Sequence, residues 1–273
     1  MNLTSTIKIP ALLVFIASIS LSFVTANENA PVQGQTQVLA IDKSPQVENK
    51  QIIVKHPGSL QLVYYGLQPA KPPLPPLRKV SVGDKIFYVY PRVQKPSIQS
   101  MFLLENTIIK PGEEVLDIGS GSGVQAIFAA EKAKHVVATD LSHAAVINTK
   151  YNVKAHKLDK IIESRQGDLF GPVRKDEKFD VVIFNIDYPY DINSQGLWKV
   201  HERFFAEVSH YLKPGGRIYY QAGLVVNIPK INSMVVKNKL RVMKMSLYSS
   251  PEHKRDPLFM LIIPDPLEIE VPM

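Results

Sequence analysis

The chain has 273 residues, of which 45% are hydrophobic and 21% are charged, and this is enough for one large domain or two small ones with a sizeable core. The composition excludes collagen-like, coiled-coil and fully disordered classes. The chain has no cysteine, which excludes disulfides, thiolate nucleophiles and cysteine-ligated zinc, and its net charge of +7 suits an anionic partner, although lysine and arginine form no run of five.

The amino terminus is predicted to be a targeting segment. Lys8 precedes an almost wholly apolar run over residues 9–24, and residues 24–26 supply the small-residue pattern that signal peptidase accepts. We therefore expect a signal peptide at residues 1–26, with an uncleaved membrane anchor as the alternative. Either one places the remainder outside the cytosol, in the periplasm or secreted, because Lys8 favours the inner side of the membrane. Membrane contact is expected only through this segment.

Residues 27–79 are predicted to form a polar and proline-rich amino-terminal region. The stretch at residues 69–77 contains five prolines, which exclude a helix or a central strand there. This composition favours a stiff polyproline spacer over a ligand for an aromatic groove. Alternating or aromatic-rich patterns predict three short strands that form a small hairpin unit, at residues 52–54, 60–65 and 85–90.

From Glu113 onwards, short apolar runs alternate with helical stretches. The strands are predicted at residues 115–118, 136–139, 161–164, 181–184, 217–220, 240–247 and 258–263, and the helices at 124–134, 143–156 and 197–212. Right-handed crossovers then give an α/β fold with a doubly wound, mostly parallel sheet. We expect this domain at residues 80–264, followed by a tail at 265–273. Ligands of such sheets bind beyond the carboxyl ends of the strands.

The turn after the first of these strands is rich in glycine. Gly119, Gly121 and Gly123 alternate with serines, so the backbone can approach a ligand where a Cβ would collide, while the next helix directs its N–H groups at that ligand. A tight turn without a ligand is the alternative. Asp140 ends the second strand 21 residues after Gly119, where a carboxylate can accept two hydrogen bonds from a ribose diol.

The spacing of the turn favours S-adenosylmethionine over a nicotinamide dinucleotide. It is G-x-G-x-G rather than G-x-G-x-x-G, and Asp117 precedes the first glycine by two residues, where it can pair with a ligand ammonium group. Asp168 follows the third strand as an acceptor for an adenine amino group, and Leu169 can pack on the face of the adenine. Leu141 is a further cofactor-binding candidate. Residues 211–217 (YLKPGGR) predict a helix stop and a turn into a late strand.

Together these motifs resemble the class I S-adenosylmethionine-dependent methyltransferases over residues 80–264. The resemblance narrows to the HemK-like, or small methyltransferase, branch, which methylates glutamine side chains of release factors, and to its relatives that act on nucleobase amino groups. Residues 95–105 are similar to the opening E-P-x-E-D-T-x-L-L-L-D of that branch, although Ile98 and Gln99 replace its acids. Residues 182–185 look like the strand that leads into its N-P-P-Y motif.

The resemblance implies a seven-stranded Rossmann-like methyltransferase fold and S-adenosyl-L-methionine as the cofactor. It also implies methyl transfer to a nitrogen of a protein side chain or of a nucleobase, so that a protein or an RNA is the expected partner. The asparagine and a proline carbonyl of N-P-P-Y accept hydrogen bonds from the target amide, and the tyrosine packs on it. This holds the nitrogen in line with the methyl group.

The catalytic motif departs from this pattern, since the chain reads N-I-D-Y-P-Y at residues 185–190. We favour Asn185 in the position that the family gives its asparagine, because the preceding strand keeps the family's register. In the alternative, residues 187–190 act as a variant of D-P-P-Y, and it is also open that the loop no longer binds a planar amide. The catalytic candidates are Asn185, Asp187, Tyr188, Pro189 and Tyr190, and Asn185 is also a cofactor-binding candidate.

The remaining expectations concern metal binding, alternative functions and the compartment. The seven histidines show no metal-ligand spacing, so no metal is expected, and we expect solvated or structural roles for His201 and His210. An exported, non-catalytic binding module with a degenerate loop is the main alternative to an enzyme, and a nicotinamide-dependent oxidoreductase is a more distant one. S-adenosylmethionine is a cytosolic metabolite, so the predicted export of the chain conflicts with its predicted cofactor.

Overall fold

The fold is derived from a computed structural model that describes six stretches of the chain, which are residues 52–54, 60–68, 77–188, 194–223, 227–247 and 257–265. The predicted targeting segment at residues 1–26, residues 69–76 of the proline-rich stretch and residues 266–273 of the predicted tail lie outside the described residues. Within the described stretches, no helix is both long enough and apolar enough to cross a membrane.

Four antiparallel strands form an amino-terminal sheet in the order β1-β2-β3-β4. They are β1 (Ile52–Val54), β2 (Leu62–Gln68), β3 (Leu77–Val82) and β4 (Lys85–Val89). The three predicted short strands fall on β1, β2 and β4. The prediction misses β3, because Leu77 ends the proline-rich stretch and the exposed Arg78 interrupts the apolar pattern. The predicted division between residues 79 and 80 falls inside this strand.

Helix α1 (Ile98–Asn106) leads into the central sheet, which has seven strands. They are β5 (Glu114–Ile118), β6 (His135–Asp140), β7 (Ile162–Gln166), β8 (Phe179–Phe184), β9 (Leu212–Gly223), β10 (Leu240–Leu247) and β11 (Pro257–Pro264). The order is β10-β11-β9-β8-β5-β6-β7. Strands β5 to β9 pair in parallel, and β11 runs antiparallel to both β9 and β10. The predicted seven-stranded, mostly parallel sheet is confirmed.

The helices that follow α1 are α2 (Val124–Ala129), α3 (His143–Ala155), α4 (Gln195–Glu207) and α5 (Ile228–Lys237). Three of them lie on predicted helices, with α2 shorter than expected and α4 continued by a 3-10 turn at Val208–Tyr211. The prediction misses α5. Its start is marked by Asn227, whose side chain accepts a hydrogen bond from Lys230 N, and by a proline in the first turn, a combination typical of helix starts.

Helices cover both faces of the sheet because its central strands are apolar on both faces. Along β5, Val115 belongs to a core shared with α1, α2 and α3, whereas the next residue, Leu116, belongs to a second core shared with α4 and α5. Val181 and Val182 of β8 alternate between the two cores in the same way. This two-sided burial is the physical reason for the doubly wound architecture, which is confirmed.

Two buried asparagines join α3 to the amino-terminal sheet. Asn148 Oδ1 accepts a hydrogen bond from Tyr90 N at 2.8 Å, and Asn152 Oδ1 accepts one from Tyr88 N at 2.9 Å. Asn152 Nδ2 also donates to the carbonyl oxygens of Tyr88 at 2.9 Å and of Ser122 at 2.8 Å. Both asparagine side chains are fully buried, so water cannot replace these bonds.

The substitution Asn152→Ala tests this connection. It removes the hydrogen bonds that Asn152 makes to Tyr88 N and to the carbonyl oxygen of Ser122, whereas the carbonyl oxygen of Tyr88 keeps its bond from Asn148 Nδ2 at 2.7 Å. We expect the free energy of unfolding to fall by about 2–4 kcal/mol. Urea denaturation measures the change. Lys154→Ala, at an exposed position of the same helix, is the control and should change the free energy of unfolding by less than about 0.5 kcal/mol. Equal effects of the two substitutions would contradict the assignment.

Candidate cofactor site and catalytic loop

A cleft of about 580 Å³ opens at the carboxyl ends of strands β5 to β8. This is the edge at which open α/β sheets bind ligands, and the volume is typical of a small-molecule site. Its lining comes from the turns that follow these strands, from the first turn of α3 and from the segment that leads into α1. The cleft is therefore the candidate site for both cofactor and acceptor.

The structure brings most of the predicted site residues to this cleft. The cofactor-binding candidates that line it are Gly119, Gly121, Asp140, Leu141, Asp168, Leu169 and Asn185. The catalytic candidates that line it are Asn185, Asp187 and Tyr188. The remaining catalytic candidates, Pro189 and Tyr190, lie outside the described residues, so their roles stay predictions.

The glycine turn after β5 has a backbone that only glycine adopts readily. The φ angles of Gly119, Gly121 and Gly123 are +79°, +55° and +83°, all in the left-handed region. A Cβ on Gly119 would also collide with Cγ2 of Ile186, in the loop after β8. Glycine at this position therefore lets the turn pack directly against the loop that carries the catalytic candidates.

Side chains of α3 hold the turn in this conformation. Thr149 Oγ1 donates to the carbonyl oxygen of Gly121 at 3.1 Å and lies 3.1 Å from Ser120 Oγ. Since Thr149 uses its hydroxyl proton on Gly121, Ser120 is the donor in that second contact. Asn152 Nδ2 bonds the next carbonyl oxygen, that of Ser122. Gly123 packs on Thr149 behind the turn and does not line the cleft.

Asp140, at the end of β6, holds the turn from the cleft side. Its Oδ2 accepts a hydrogen bond from Gly121 N at 2.9 Å, and its Oδ1 accepts one from Ser142 N at 2.8 Å. A carboxylate oxygen can accept more than one hydrogen bond, so both oxygens can still accept from a ligand diol. This geometry fits the role that the sequence predicts for Asp140.

Asp117 lies beneath the turn and does not line the cleft. Side chains alternate along β5, so Ile118 reaches the lining while Asp117 is fully buried on the side of α2. Asp117 Oδ2 accepts a hydrogen bond from Ala126 N at 3.1 Å, and its Oδ1 has no partner among the described residues. Burial raises the pKa of this carboxyl to about 7. Asp117 is thus the one acid of the predicted site that lies outside the cleft lining, and its contact with a ligand ammonium group stays a prediction.

Asp168 and Leu169 follow β7 at the rim of the cleft. Leu169 is buried with a φ of +46°, a conformation that is rare for a branched side chain. Asp168 Oδ2 accepts a hydrogen bond from Arg203 Nη1 of α4 at 2.8 Å, with both side chains about half exposed. Leu141 is 69% exposed, so its apolar surface is available to a planar ligand.

The loop after β8 holds the catalytic candidates. Asn185 and Ile186 are half-buried, Asp187 is exposed and Tyr188 is buried. Measured from the end of β8, Asn185 and Tyr188 are the first and fourth loop residues, which is the spacing of N-P-P-Y with isoleucine and aspartate in place of the prolines. This spacing favours the interpretation based on Asn185, and the alternative motif at residues 187–190 stays a prediction.

His201 is a component of the site that the sequence analysis treats only as solvated or structural. It lies on α4, fully buried, with Nε2 3.0 Å from the carbonyl oxygen of Asp187 and Nδ1 2.8 Å from the hydroxyl oxygen of Tyr220. A carbonyl oxygen only accepts, so Nε2 carries the proton and Tyr220 donates to Nδ1. Burial lowers the pKa of His201 to about 4, so the ring is neutral. The neutral ring anchors the backbone of the loop after β8.

The available sequence signal for this role is the position of His201 in α4. The apolar side of that helix and its 3-10 extension includes Phe204, Phe205 and Val208, which follow His201 at helical spacing and are buried. A histidine within such a stripe must find hydrogen-bond partners in the core. Among the described residues, no group of three or more histidine, aspartate and glutamate residues is placed to hold a metal ion.

The family model of the methyltransferase small domain matches residues 93–248. The chain belongs to this family. The match runs from the segment before α1, through the glycine turn and the loop after β8, to the end of β10. The predicted class I methyltransferase family and its small methyltransferase branch are thereby confirmed.

Known relatives are similar to about half of this chain. A ribosomal protein L11 methyltransferase of Listeria innocua is 31% identical over 144 residues, which cover 52% of this chain and 42% of that protein. A candidate protein N5-glutamine methyltransferase of Methanocaldococcus jannaschii is 32% identical over 144 residues, 47% of this chain and 71% of that protein. The chain thus spans less than half the length of the L11 methyltransferases that it matches.

The fold recurs in a crystal structure of the tRNA m1G37 methyltransferase of Methanocaldococcus jannaschii. The two chains superpose with a TM-score of 0.55 at 19% identity, over 69% of this chain and 55% of the other. At this identity the likeness concerns the fold alone. It agrees with the methyltransferase architecture predicted from the sequence.

The cofactor prediction, S-adenosylmethionine, is confirmed with the family, and the cleft fits this molecule. The left-handed φ angles of Gly119 and Gly121 bring the backbone of the turn to the cleft, and the carboxylates of Asp140 and Asp168 suit a cationic nucleoside. Gln125 Oε1 and Thr139 Oγ1 are buried in the lining without a hydrogen-bond partner among the described residues. These are groups that a ligand can satisfy.

The substitution Gly119→Ala tests the cradle. The new Cβ displaces Ile186, and we expect the affinity for S-adenosylhomocysteine to fall at least tenfold in isothermal titration calorimetry. Gly215→Ala is the matched control, because Gly215 also has a positive φ, +75°, but nothing within 4 Å of the new Cβ. Both substitutions should lower the free energy of unfolding by about 1–2 kcal/mol through backbone strain. An equal loss of affinity in the two variants would show that strain alone explains the result.

His201→Gln tests the buried histidine through pH. Because the pKa of His201 is lowered from 6.5 to about 4, only the unfolded chain binds a proton between these values, so the contribution to stability is complete above pH 6.5 and is lost as the pH falls. We expect the stability advantage of the parent over His201→Gln to shrink by roughly 3 kcal/mol between pH 7 and pH 4 in urea denaturation.

The pH dependence of stability is measured as a difference between parent and variant, because the ionisation of Asp117 changes the free energy of unfolding with pH in the opposite direction. Its pKa is raised to about 7, so its ionisation destabilises the folded chain as the pH rises, but this effect is present in both proteins and cancels in the difference. His210→Gln, at an exposed position, is the control and should change the free energy of unfolding at pH 7 by less than about 0.5 kcal/mol. A pH-independent difference between parent and His201→Gln would contradict the assignment.

Proposed function

We propose that this protein transfers a methyl group from S-adenosylmethionine to a nitrogen of a protein side chain or of a nucleobase. The observation that supports this most directly is the contact between the glycine turn and the loop after β8. Gly119 has no room for a Cβ because Ile186 lies against it. A cofactor on the turn and an acceptor at Asn185 would therefore share one cleft.

In this proposal, four side chains hold the cofactor. Asp140 accepts hydrogen bonds from the ribose hydroxyls, and Asp168 accepts one from the adenine amino group. Leu141 and Leu169 pack on the two sides of the adenine ring. When bound, S-adenosylmethionine supplies a methyl group on a sulfonium ion, which is already activated for transfer.

The residues of the chain then act mainly by position, and acid-base chemistry is limited to the removal of one proton. Asn185 Oδ1 accepts one N–H of the acceptor, and its Nδ2 donates to the acceptor's oxygen or ring nitrogen, which fixes the plane of the reacting group. Such alignment is a large part of the catalytic effect when a weakly nucleophilic nitrogen attacks. The exposed carboxylate of Asp187 stands in the same cleft and can accept the proton that the nitrogen loses after attack.

His201 is a positioning residue in this scheme. It donates to the carbonyl oxygen of Asp187 and does not itself line the cleft. The loop has Ile186 and Asp187 in place of two prolines, so its backbone is less restricted in φ than N-P-P-Y. The hydrogen bond from His201 supplies a constraint that the missing prolines would otherwise give.

The names of the relatives agree with this acceptor chemistry. The L11 methyltransferase and the candidate glutamine methyltransferase are named for protein substrates, and the structural neighbour is named for a tRNA base. Because the chain spans only part of the L11 enzymes, their substrates are not transferred to it. The location outside the cytosol stays a prediction, since residues 1–26 lie outside the described residues.

The substitution Asn185→Ala tests the proposal in the full chain. We expect parent protein to bind S-adenosylhomocysteine in calorimetry and to transfer tritium from methyl-labelled S-adenosylmethionine to a pool of RNA or ribosomal protein. Asn185→Ala should lower transfer by about 100-fold or more, with a less than tenfold change in affinity, as for an interaction made mainly in the transition state.

Asn238→Ala is the matched control for this experiment, because Asn238 lies at the end of α5, away from the cleft lining. It should leave both transfer and affinity unchanged. Failure of parent protein to bind S-adenosylhomocysteine would overturn the proposed function. Unchanged transfer by Asn185→Ala would overturn the role of Asn185.

A further inference from the structure

One side of the cleft continues into a surface with basic and aromatic side chains, which we call the basic face. It is formed by β4, the segment that leads into α1, and α3. Its members are the half-buried Tyr88, Tyr90 and Tyr151 and the exposed Arg92, Lys95, Lys150 and Lys154.

The basic face is built from stretches of sequence without carboxylates. Residues 85–104 and 141–158 contain no aspartate or glutamate. The acids that flank these stretches are Asp84, Glu105, Asp140 and Asp159. Asp84 pairs with Lys85 at 3.3 Å, Glu105 accepts a hydrogen bond from Leu60 N at 3.2 Å, and Asp140 accepts from the backbone of the glycine turn and of Ser142. The positive charges of the face are therefore not neutralised by acids from its own elements.

Three tyrosine rings lie among these charges. Tyr151 of α3 contacts Tyr88 with ring centroids 5.7 Å apart and Tyr90 at the same distance. The backbones of Tyr88 and Tyr90 are fixed by the buried amides of Asn152 and Asn148. The rings are thus held in place before any partner arrives, which lowers the entropy cost of binding.

The basic face is continuous with the cleft. Arg92 and Lys95 line the cleft themselves, as does Ala145 at the start of α3. Lys95 also lies over the ring of Tyr64, with Nζ 4.0 Å from its centroid, and Tyr64 OH donates to the carbonyl oxygen of Pro96 at 2.6 Å. Lys95, at the mouth of the cleft, is therefore held by the amino-terminal sheet.

We infer that the basic face binds an unpaired nucleic-acid strand, and that the methyl acceptor in the cleft is a nitrogen of one of its bases. Lysine and arginine neutralise phosphates, while tyrosine rings offer surfaces on which bases stack regardless of sequence. An acidic peptide would pair with the lysine and arginine side chains but would offer no planar rings to stack on the tyrosines. This inference rests on the proposed function and narrows its two acceptor classes to one.

Fluorescence anisotropy tests the inference with the full chain and fluorescein-labelled probes. The probes are RNA and DNA single strands of the same mixed sequence, about 20 nucleotides long, and a poly-glutamate peptide of similar charge. We expect the single strands to bind more tightly than the peptide, with an affinity that falls linearly with the logarithm of salt concentration. The RNA and DNA arms identify which strand is preferred.

Charge reversal on α3 locates the binding surface. Lys150→Glu/Lys154→Glu should weaken nucleic-acid binding at least tenfold and reduce the salt dependence. Lys132→Glu/Lys237→Glu changes the net charge equally at exposed positions outside the basic face and should change binding less than threefold. Tyr151→Leu keeps an apolar side chain but removes the ring, and it should weaken binding about fivefold to tenfold.

Calorimetry with S-adenosylhomocysteine on each variant separates this inference from the proposed function. Unchanged cofactor affinity in Lys150→Glu/Lys154→Glu, together with lost nucleic-acid binding, supports the inference. Equal weakening by the two charge reversals, tighter binding of poly-glutamate, or no binding of either single strand by a parent protein that binds S-adenosylhomocysteine would overturn it. Loss of cofactor binding in the parent would instead overturn the proposed function.

Discussion

The structure depends on how α3 holds the turn at Gly119–Gly123. Three of the five residues in this turn have a left-handed backbone conformation. The carbonyl groups of the turn therefore cannot all pair as they would in a helix or a sheet, and other groups must bond them. Thr149 and Asn152 bond two of these groups from the helix, and Asp140 bonds an amide from the other side. Asn152 also bonds both backbone groups of Tyr88 in β4. One helix therefore fixes the candidate cofactor cradle and the amino-terminal sheet together, which explains why α3 carries buried polar side chains on the side facing the sheet.

The loop after β8, which carries the catalytic candidates, is held from the opposite core. His201 and Tyr220 belong to the cluster under α4 and α5, and they form a neutral, fully buried pair that ends on the carbonyl oxygen of Asp187. Ile186 meanwhile packs on Gly119. The two walls of the cleft are thus stabilised by different sides of the sheet and meet where Ile186 packs on Gly119. A change in either core would alter the separation between cofactor and acceptor, to which transfer reactions are sensitive.

The elements that could be predicted from the sequence are those whose residue pattern has a single physical explanation. Strands β5 and β8 are apolar on both faces, and the glycine spacing has few uses other than close approach to a ligand. The missed features have competing causes. The start of β3 follows five prolines, the direction of Asp117 depends on strand alternation and on the position of α2, and the partners of His201 come from segments 14 and 19 residues away. The periodicity of the sequence predicts on which face of a helix or strand a residue lies, but not which polar group that residue contacts.

The distribution of charge over the surface likewise could not be predicted from the sequence pattern. Lysine and arginine form no long run, so the net charge of +7 appears as scattered charge along the chain. The fold concentrates it, because Lys150 and Lys154 are one helical turn apart and Arg92 and Lys95 lie beside α3 at the mouth of the cleft. The carboxylates of the cleft come instead from the turns after β6, β7 and β8. A cationic cofactor and an anionic acceptor would thus meet walls of opposite charge, and each would be drawn to its own side.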